Sequence, residues 1–176
     1  AILNSKMSNY FYWTINPEKG EAMAQVKAFH LGLLPIKNIT LAEQQPFIDF
    51  ADRILSFNTD LQAKRQRFQK RLSDNFNATT NKGLQPLVIT NALEQFDELE
   101  FKQFLAELKK QKIILSLKQQ DEWEEYFNAY KSECSNFVSQ IEVTDKEIDR
   151  MVYALYRLTE EEMEIVEENK GFKQHK

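Results

Sequence analysis

Between Thr40 and Phe76, large apolar residues return at a spacing of seven: Phe47, Ile54, Leu61 and Phe68, with Phe50 and Phe57 three places after the first two. A repeat of this length, with polar residues between, marks a long helix whose seam must meet another helix. Thr40 and Glu43 stand at the S/T-x-x-E spacing that satisfies the open amides of a first turn, and Pro46 lies close enough to that start to be accommodated. The pattern predicts a helix over about Leu41 to Phe76, roughly 54 Å at 1.5 Å per residue. That exceeds the width of a small domain, so a partner is required. The stretch Asp121 to Ile141 supplies one, with Trp123, Phe127, Tyr130, Cys134, Phe137 and Ile141 recurring at intervals of four and three. Together the stripes predict an antiparallel helical hairpin, each fully buried large side chain contributing roughly 1.5–3 kcal/mol.

The remaining segments are shorter. From about Leu93 the chain reads as helical, with Phe96, Leu99, Phe101, Phe104, Leu105 and Leu108 forming a face that packs back on the hairpin. The β-branched "KIILSL" suits a short extended link, and "NPEKG" suits a turn. "QVKAFHLGLLPIKNI" is the strand candidate, with Val26, Phe29, Leu31 and Leu33 apolar and Pro35 ending it. Ile2 to Trp13 reads as a short helix. Thr144 with Glu147, and Thr159 with Glu162, are two further capping boxes, each marking a helix start. Ile148, Met151, Val152 and Leu155 share a face after the first box; Met163, Ile165 and Val166 supply one after the second. Tyr153 and Tyr156 can then lay their rings on the seam with hydroxyls outward. The fold class is mainly α, a long coiled-coil-like hairpin with short packing helices and a small N-terminal extended segment.

Composition narrows the chemistry. With 176 residues, 42% hydrophobic, the chain can bury a core. Cys134 is the only cysteine and His30 and His175 the only histidines, which excludes an intrachain disulfide and a zinc cluster of the usual spacing. No apolar run approaches the roughly 20 residues of a membrane span, so a soluble, cytoplasmic chain with no membrane partner is expected. The first residues, without methionine and already amphipathic, suggest a piece of a longer polypeptide. A net charge of -4 conceals a division: Asp121 to Asn169 holds fifteen acids and four bases, while "AKRQRFQKR" carries Lys64, Arg65, Arg67, Lys70 and Arg71 with no acid. "KKQK" adds Lys109, Lys110 and Lys112. Such blocks suit phosphate backbones, and they also occur on solvated helix faces or opposite acids of another segment. "DELEFK", Asp97 to Lys102, formally resembles part of a nuclease motif and reads instead as a solvated helix start.

The closing stretch "EIDRMVYALYRLTEEEMEIVEE" also resembles the signature of the Taq-type specificity domain at the C-terminal end of fused restriction and adenine-N6 methyltransferase enzymes. Ile148, Asp149, Val152, Tyr153, Leu155, Tyr156, Leu158, Thr159, Glu161, Glu162, Ile165, Val166 and Glu167 match its pattern. "AILNSK", "LLPIKNITLAEQQPFIDFADRIL" and "LEFKQFLAEL" followed by "DEWEEYF" agree with it in order and spacing. Arg157 stands where that family commonly has glycine, and Lys37 where it has a second proline.

The resemblance implies a parent enzyme that reads a short sequence of double-stranded DNA and transfers methyl from S-adenosylmethionine, with magnesium where a nuclease is present. The Asn-Pro-Pro-Tyr motif and the glycine-rich cofactor loop are absent from this chain. The fragment is therefore expected to be non-catalytic, with no cofactor, catalytic residue or metal ligand of its own. It would position a recognition domain against DNA and the methyltransferase domain of the same polypeptide. Lys64, Arg65, Arg67, Lys70, Arg71, Lys109, Lys110 and Lys112 are its candidate phosphate contacts. Residues 1–39 would be the tail end of the recognition domain, 40–169 a helical domain and 170–176 a disordered tail.

Overall fold

In the computed structural model, which describes residues 1–16, 28–77 and 87–168, the two heptad stripes become the two longest helices. A 3-10 turn at Ile2–Asn4 leads into α1 (Lys6–Ile15), followed by α2 (Ala28–Gly32) and α3 (Leu41–Asn77). After these come α4 (Asn91–Glu94), a second 3-10 turn at Phe96–Glu98, α5 (Phe101–Lys110), α6 (Leu117–Tyr156) and α7 (Glu160–Glu168). The chain is mainly α, as the periodicity predicts, and α3 packs against α6. The capping box opens α3 as read: Glu43 Oε2 accepts from the Thr40 N–H at 2.8 Å and Thr40 Oγ1 from the Glu43 N–H at 3.3 Å. Those bonds, the backbone one first, hold the Glu43 carboxyl below its ordinary value.

The chain divides into two units, Leu55–Ile141 and Ala1–Ile54 with Glu142–Lys176. In the first, Phe68 is the centre of an aromatic core. It stacks on Phe96 at 3.7 Å and lies against Tyr126, Phe127 and Phe104 at 5.7 to 6.1 Å. Phe76 meets Trp123 at 5.4 Å, and Lys64 meets Glu133, so the partners on α6 fall in number as those on α3 rise. That order makes the helices antiparallel. Leu61, Leu72, Leu93, Leu108 and Cys134 complete the buried cluster. In the second unit, Phe47 packs on Ile148 and Val152, with Ile39, Phe50, Met151 and Leu155 around them.

Four sequence expectations change. The strand candidate is helical where it is described, since Phe29 and Leu31 lie in α2; the extended chain begins only at Pro35. "NPEKG" after Asn16, and the tail beyond Glu168, lie outside the described residues. The helix expected from Leu93 is broken into three pieces, because Thr90 caps α4 and Gln95 leaves helical geometry at φ -108°, ψ 42°. The box at Thr144 does not start a helix. Thr144 is buried on the inward face of α6, one and two turns before Ile148 and Val152, and Glu147 pairs forward with Arg150 instead of turning back. A cap operates only where its first residue leaves helical geometry, and packing holds this one inside the helix. Ile165, expected on the apolar face of α7, is exposed, and Val166 is buried in its place.

Candidate functional site

The basic block of α3 is divided by the pitch of the helix. Arg65 and Gln69 share the edge nearest α4 and the second 3-10 turn. The Arg65 guanidinium donates from Nε and from an Nη to the two carboxylate oxygens of Asp97, at 2.8 and 2.7 Å, and Gln69 donates to the Glu94 carbonyl at 3.1 Å. Both charged groups are largely withdrawn from solvent, and the hydrogen bond to Asp97 holds Arg65 above its ordinary range. This bidentate geometry is the strongest form of the pair. It also corrects the reading of "DELEFK": Asp97 is a buried partner for α3, and Glu100 lies just before α5 with its carboxylate on Lys131 at 2.8 Å. Each acid thus has its own cation, from a different helix. No group of three or more metal-ligating side chains occurs among the described residues.

Lys64 and Arg71 lie on the opposite edge of α3, toward α6. The Lys64 ammonium pairs with Glu133 and sits 5.6 Å from the centre of the Tyr130 ring. Arg71 adjoins Tyr126, whose hydroxyl is pushed up to about 12 by burial and by its neighbour Tyr130, with Arg71 pulling the other way. Burial likewise pushes the Cys134 thiol up to about 11, the Asp97 carboxylate adding to it, so the thiol stays protonated and unreactive at neutral pH. Arg67 and Lys70 point outward and are exposed, and neither pairs with a carboxylate among the described residues. Of the second block, Lys110 pairs with Glu107, whereas Lys109 and Lys112 are exposed without such a partner.

The tyrosines and acids of the closing stretch form an interlock. Tyr153 is buried and donates to Glu167 of α7 at 2.8 Å, and Lys6 of α1 reaches the other oxygen of the same carboxylate. Asp149 is buried and accepts from the Lys6 N–H at 2.9 Å, closing the first turn of α1. Tyr156 donates to the Pro35 carbonyl at 2.7 Å and accepts from the Lys37 N–H at 3.0 Å, while Lys37 Nζ caps the Leu155 carbonyl at 2.8 Å. A proline at position 37 could not make that N–H bond. The hydroxyls expected to face outward are therefore both committed within the fold. Burial and the bond to Glu167 drive the Tyr153 phenol well above its ordinary range, which removes it from proton transfer near neutrality. An apolar groove of about 620 Å³ lies between Ala1–Leu3, Ile36–Ile39 and Phe47–Ala51, and its one charged side chain, Lys37, is already engaged.

α6 ends in a Schellman motif, the Leu158 N–H bonding Tyr153 O at 3.0 Å and the Arg157 N–H bonding Ala154 O at 3.2 Å. Arg157 takes the left-handed position, φ 58°, usually held by glycine, and Lys112 does the same after α5 at φ 63°. Sequence reasoning missed the burial of Asp97 and the roles of Lys6 and Lys37, because each depends on residues distant in the chain. The signal available was an acid beside a buried phenylalanine, too common to single out.

A family model for a domain of unknown function, DUF8810, matches residues 40–152, well over half the chain, from the cap of α3 to the buried Val152 of α6. The chain belongs to the DUF8810 family. No curated protein matches it, and no solved structure does. The DUF8810 match thus takes in the whole basic block, the Arg65–Asp97 bridge and the aromatic core around Phe68, and stops short of α7.

Proposed function

We propose that this chain is a non-catalytic helical module of a DNA restriction-modification polypeptide, holding a recognition domain in place and touching duplex DNA through phosphates alone. The observation that carries the reading is the division of the basic block. Lys64 and Arg65 bind α3 to its neighbours, and Arg67 and Lys70 are left exposed on the outward side of a helix fixed by those pairs. Cations presented in this way position a protein on a duplex without reading bases. The resemblance of the closing stretch to Taq-type specificity domains supports the same setting. There, S-adenosylmethionine and any catalytic magnesium belong to other domains of the parent, and the location is cytoplasmic.

A second reading is favoured by the ion pairs themselves. Two members of the basic block find their acids inside this molecule, which suits a helical interaction module that contacts protein only. Fluorescence anisotropy with a random-sequence duplex across a salt series separates the two. The variant to compare is Arg67→Gln with Lys70→Gln, leaving Arg65 in place so that the hairpin is undisturbed. Binding that weakens steeply with salt and is reduced in the variant supports phosphate contact. Absence of binding at low salt leaves the protein-facing module.

A further inference from the structure

Residues 108–120 contain four lysines and no acid, and the turn they build carries two of the most exposed aliphatic side chains of the described chain, Ile114 and Leu117, each 80% exposed. The turn is held firmly. In the extended link Ile113 and Leu115 turn inward to the aromatic core, which sends Ile114 outward between them. The Gln111 side chain binds both backbone groups of Val88, at 2.8 and 2.9 Å, and Ser116 is fixed by Gln119 at 3.0 Å ahead of α6. Lys112 occupies the left-handed position of the Schellman motif that ends α5. Lys110 and Lys118 have acidic neighbours on their own helices, Glu107 and Glu122, while Lys109 and Lys112 pair with no carboxylate among the described residues.

We infer that this rigid tip is a wedge for duplex DNA, Lys109 and Lys112 gripping phosphates while Ile114 and Leu117 enter the minor groove and part a base step. The inference rests on the DNA-contact reading above and names how a second part of the same surface would engage. An anionic partner is required by the charge, and a partner with accessible apolar faces by the two aliphatic side chains. Stacked bases flanked by phosphates offer both, and aliphatic wedges of this kind unstack and kink duplexes. The tip carries no aromatic side chain of the type that anchors at a lipid headgroup layer.

The test uses the 176-residue chain with a duplex carrying 2-aminopurine at a flexible pyrimidine–purine step, and reads anisotropy and 2-aminopurine fluorescence together. The wild-type chain should bind and raise the fluorescence. Ile114→Ser with Leu117→Ser should weaken binding about tenfold and abolish the rise with the salt dependence unchanged, since no charge is lost. Lys109→Gln with Lys112→Gln should lower the salt slope by roughly 1.8. Both pairs are exposed, so melting temperatures should match the wild type, and Ile114→Trp gives an independent reading through quenching of its indole by the bases. Binding with no fluorescence change, or with the same change in the serine variant, overturns the wedge and leaves the phosphate reading standing. No binding to DNA at low salt overturns both. Serine-sensitive binding to vesicles containing phosphatidylserine, in preference to DNA, assigns the tip to a membrane surface and overturns the wedge.

Discussion

At the residue scale the bridge between Arg65 and Asp97 is the most consequential polar contact. Replacing Asp97 by alanine leaves a guanidinium without its bidentate acceptor at the margin of an aromatic core, so a loss of about 2–4 kcal/mol is expected in urea denaturation. Arg157→Gly should act the other way. A side chain in the left-handed region is strained and glycine is not, so the substitution should stabilise by about 0.5–1 kcal/mol, with Arg157→Ala giving no such gain. Glu167 and Asp149 make opposite contributions with pH. Burial opposes ionisation of Glu167, but bonds from Lys6 and Tyr153 outweigh it and hold the carboxyl below its ordinary value of 4.5. Its stabilisation is full above that value and is lost as pH falls through the lower folded one. Asp149 is pushed up from 3.8 by burial, against the bond and charge of Lys6, so its ionisation costs stability as pH rises through the raised value. Glu167→Gln should therefore lose stability at neutral pH and flatten the acid limb of the curve. Asp149→Asn, which keeps an acceptor for the Lys6 N–H, should compare best with the wild type at neutral pH and less well as pH falls.

At the scale of elements, the same sequence motif has two fates. Thr159 and Glu162 make a working box, the Thr159 N–H bonding Glu162 at 2.8 Å and Thr159 Oγ1 accepting from the Glu162 N–H at 3.3 Å. α7 has only 9 residues, too few to persist without its cap and its docking. Thr159→Ala should cost about 1 kcal/mol and raise amide exchange through α7 selectively. Thr144 and Glu147 have the same letters and lie within 40 unbroken helical residues. The difference is the residue preceding each box. Arg157 ends α6 in a left-handed turn, so Leu158 and Thr159 are already outside a helix, whereas nothing before Thr144 interrupts α6.

For the whole molecule, the net charge of -4 argues against strong general attraction to DNA, so any binding must come from local fields. Each phosphate contact removed should reduce the salt slope by about 0.9, and Arg67→Gln with Lys70→Gln should therefore lower it by roughly 1.8 without changing the melting temperature. Adding Arg65→Gln should lower the melting temperature as well, because that residue holds the core together. A binding loss seen only in the triple variant would report unfolding and not a lost phosphate. No helix among the described residues is long and apolar enough to cross a membrane, which keeps the comparison one between DNA and protein partners for α3.

Sequence alone determined the elements that depend on local pattern. The period of seven from Phe47 to Phe68, the answering stripe from Trp123 to Ile141, and the boxes at Thr40 and Thr159 are complete within one or a few turns, so spacing suffices to read them. Tertiary structure decided which polar groups are used up. The Lys6 N–H meets Asp149, Lys37 meets Tyr156, and Arg65 meets Asp97 across 143, 119 and 32 positions of chain, and no periodicity links such partners. Burial follows the same division: a lysine or arginine on a helix reads as solvated until the fold brings an acid or an aromatic ring against it. That is why five adjacent cations of one block, alike in the sequence, become interhelical pairs at Lys64 and Arg65 and an open surface at Arg67 and Lys70.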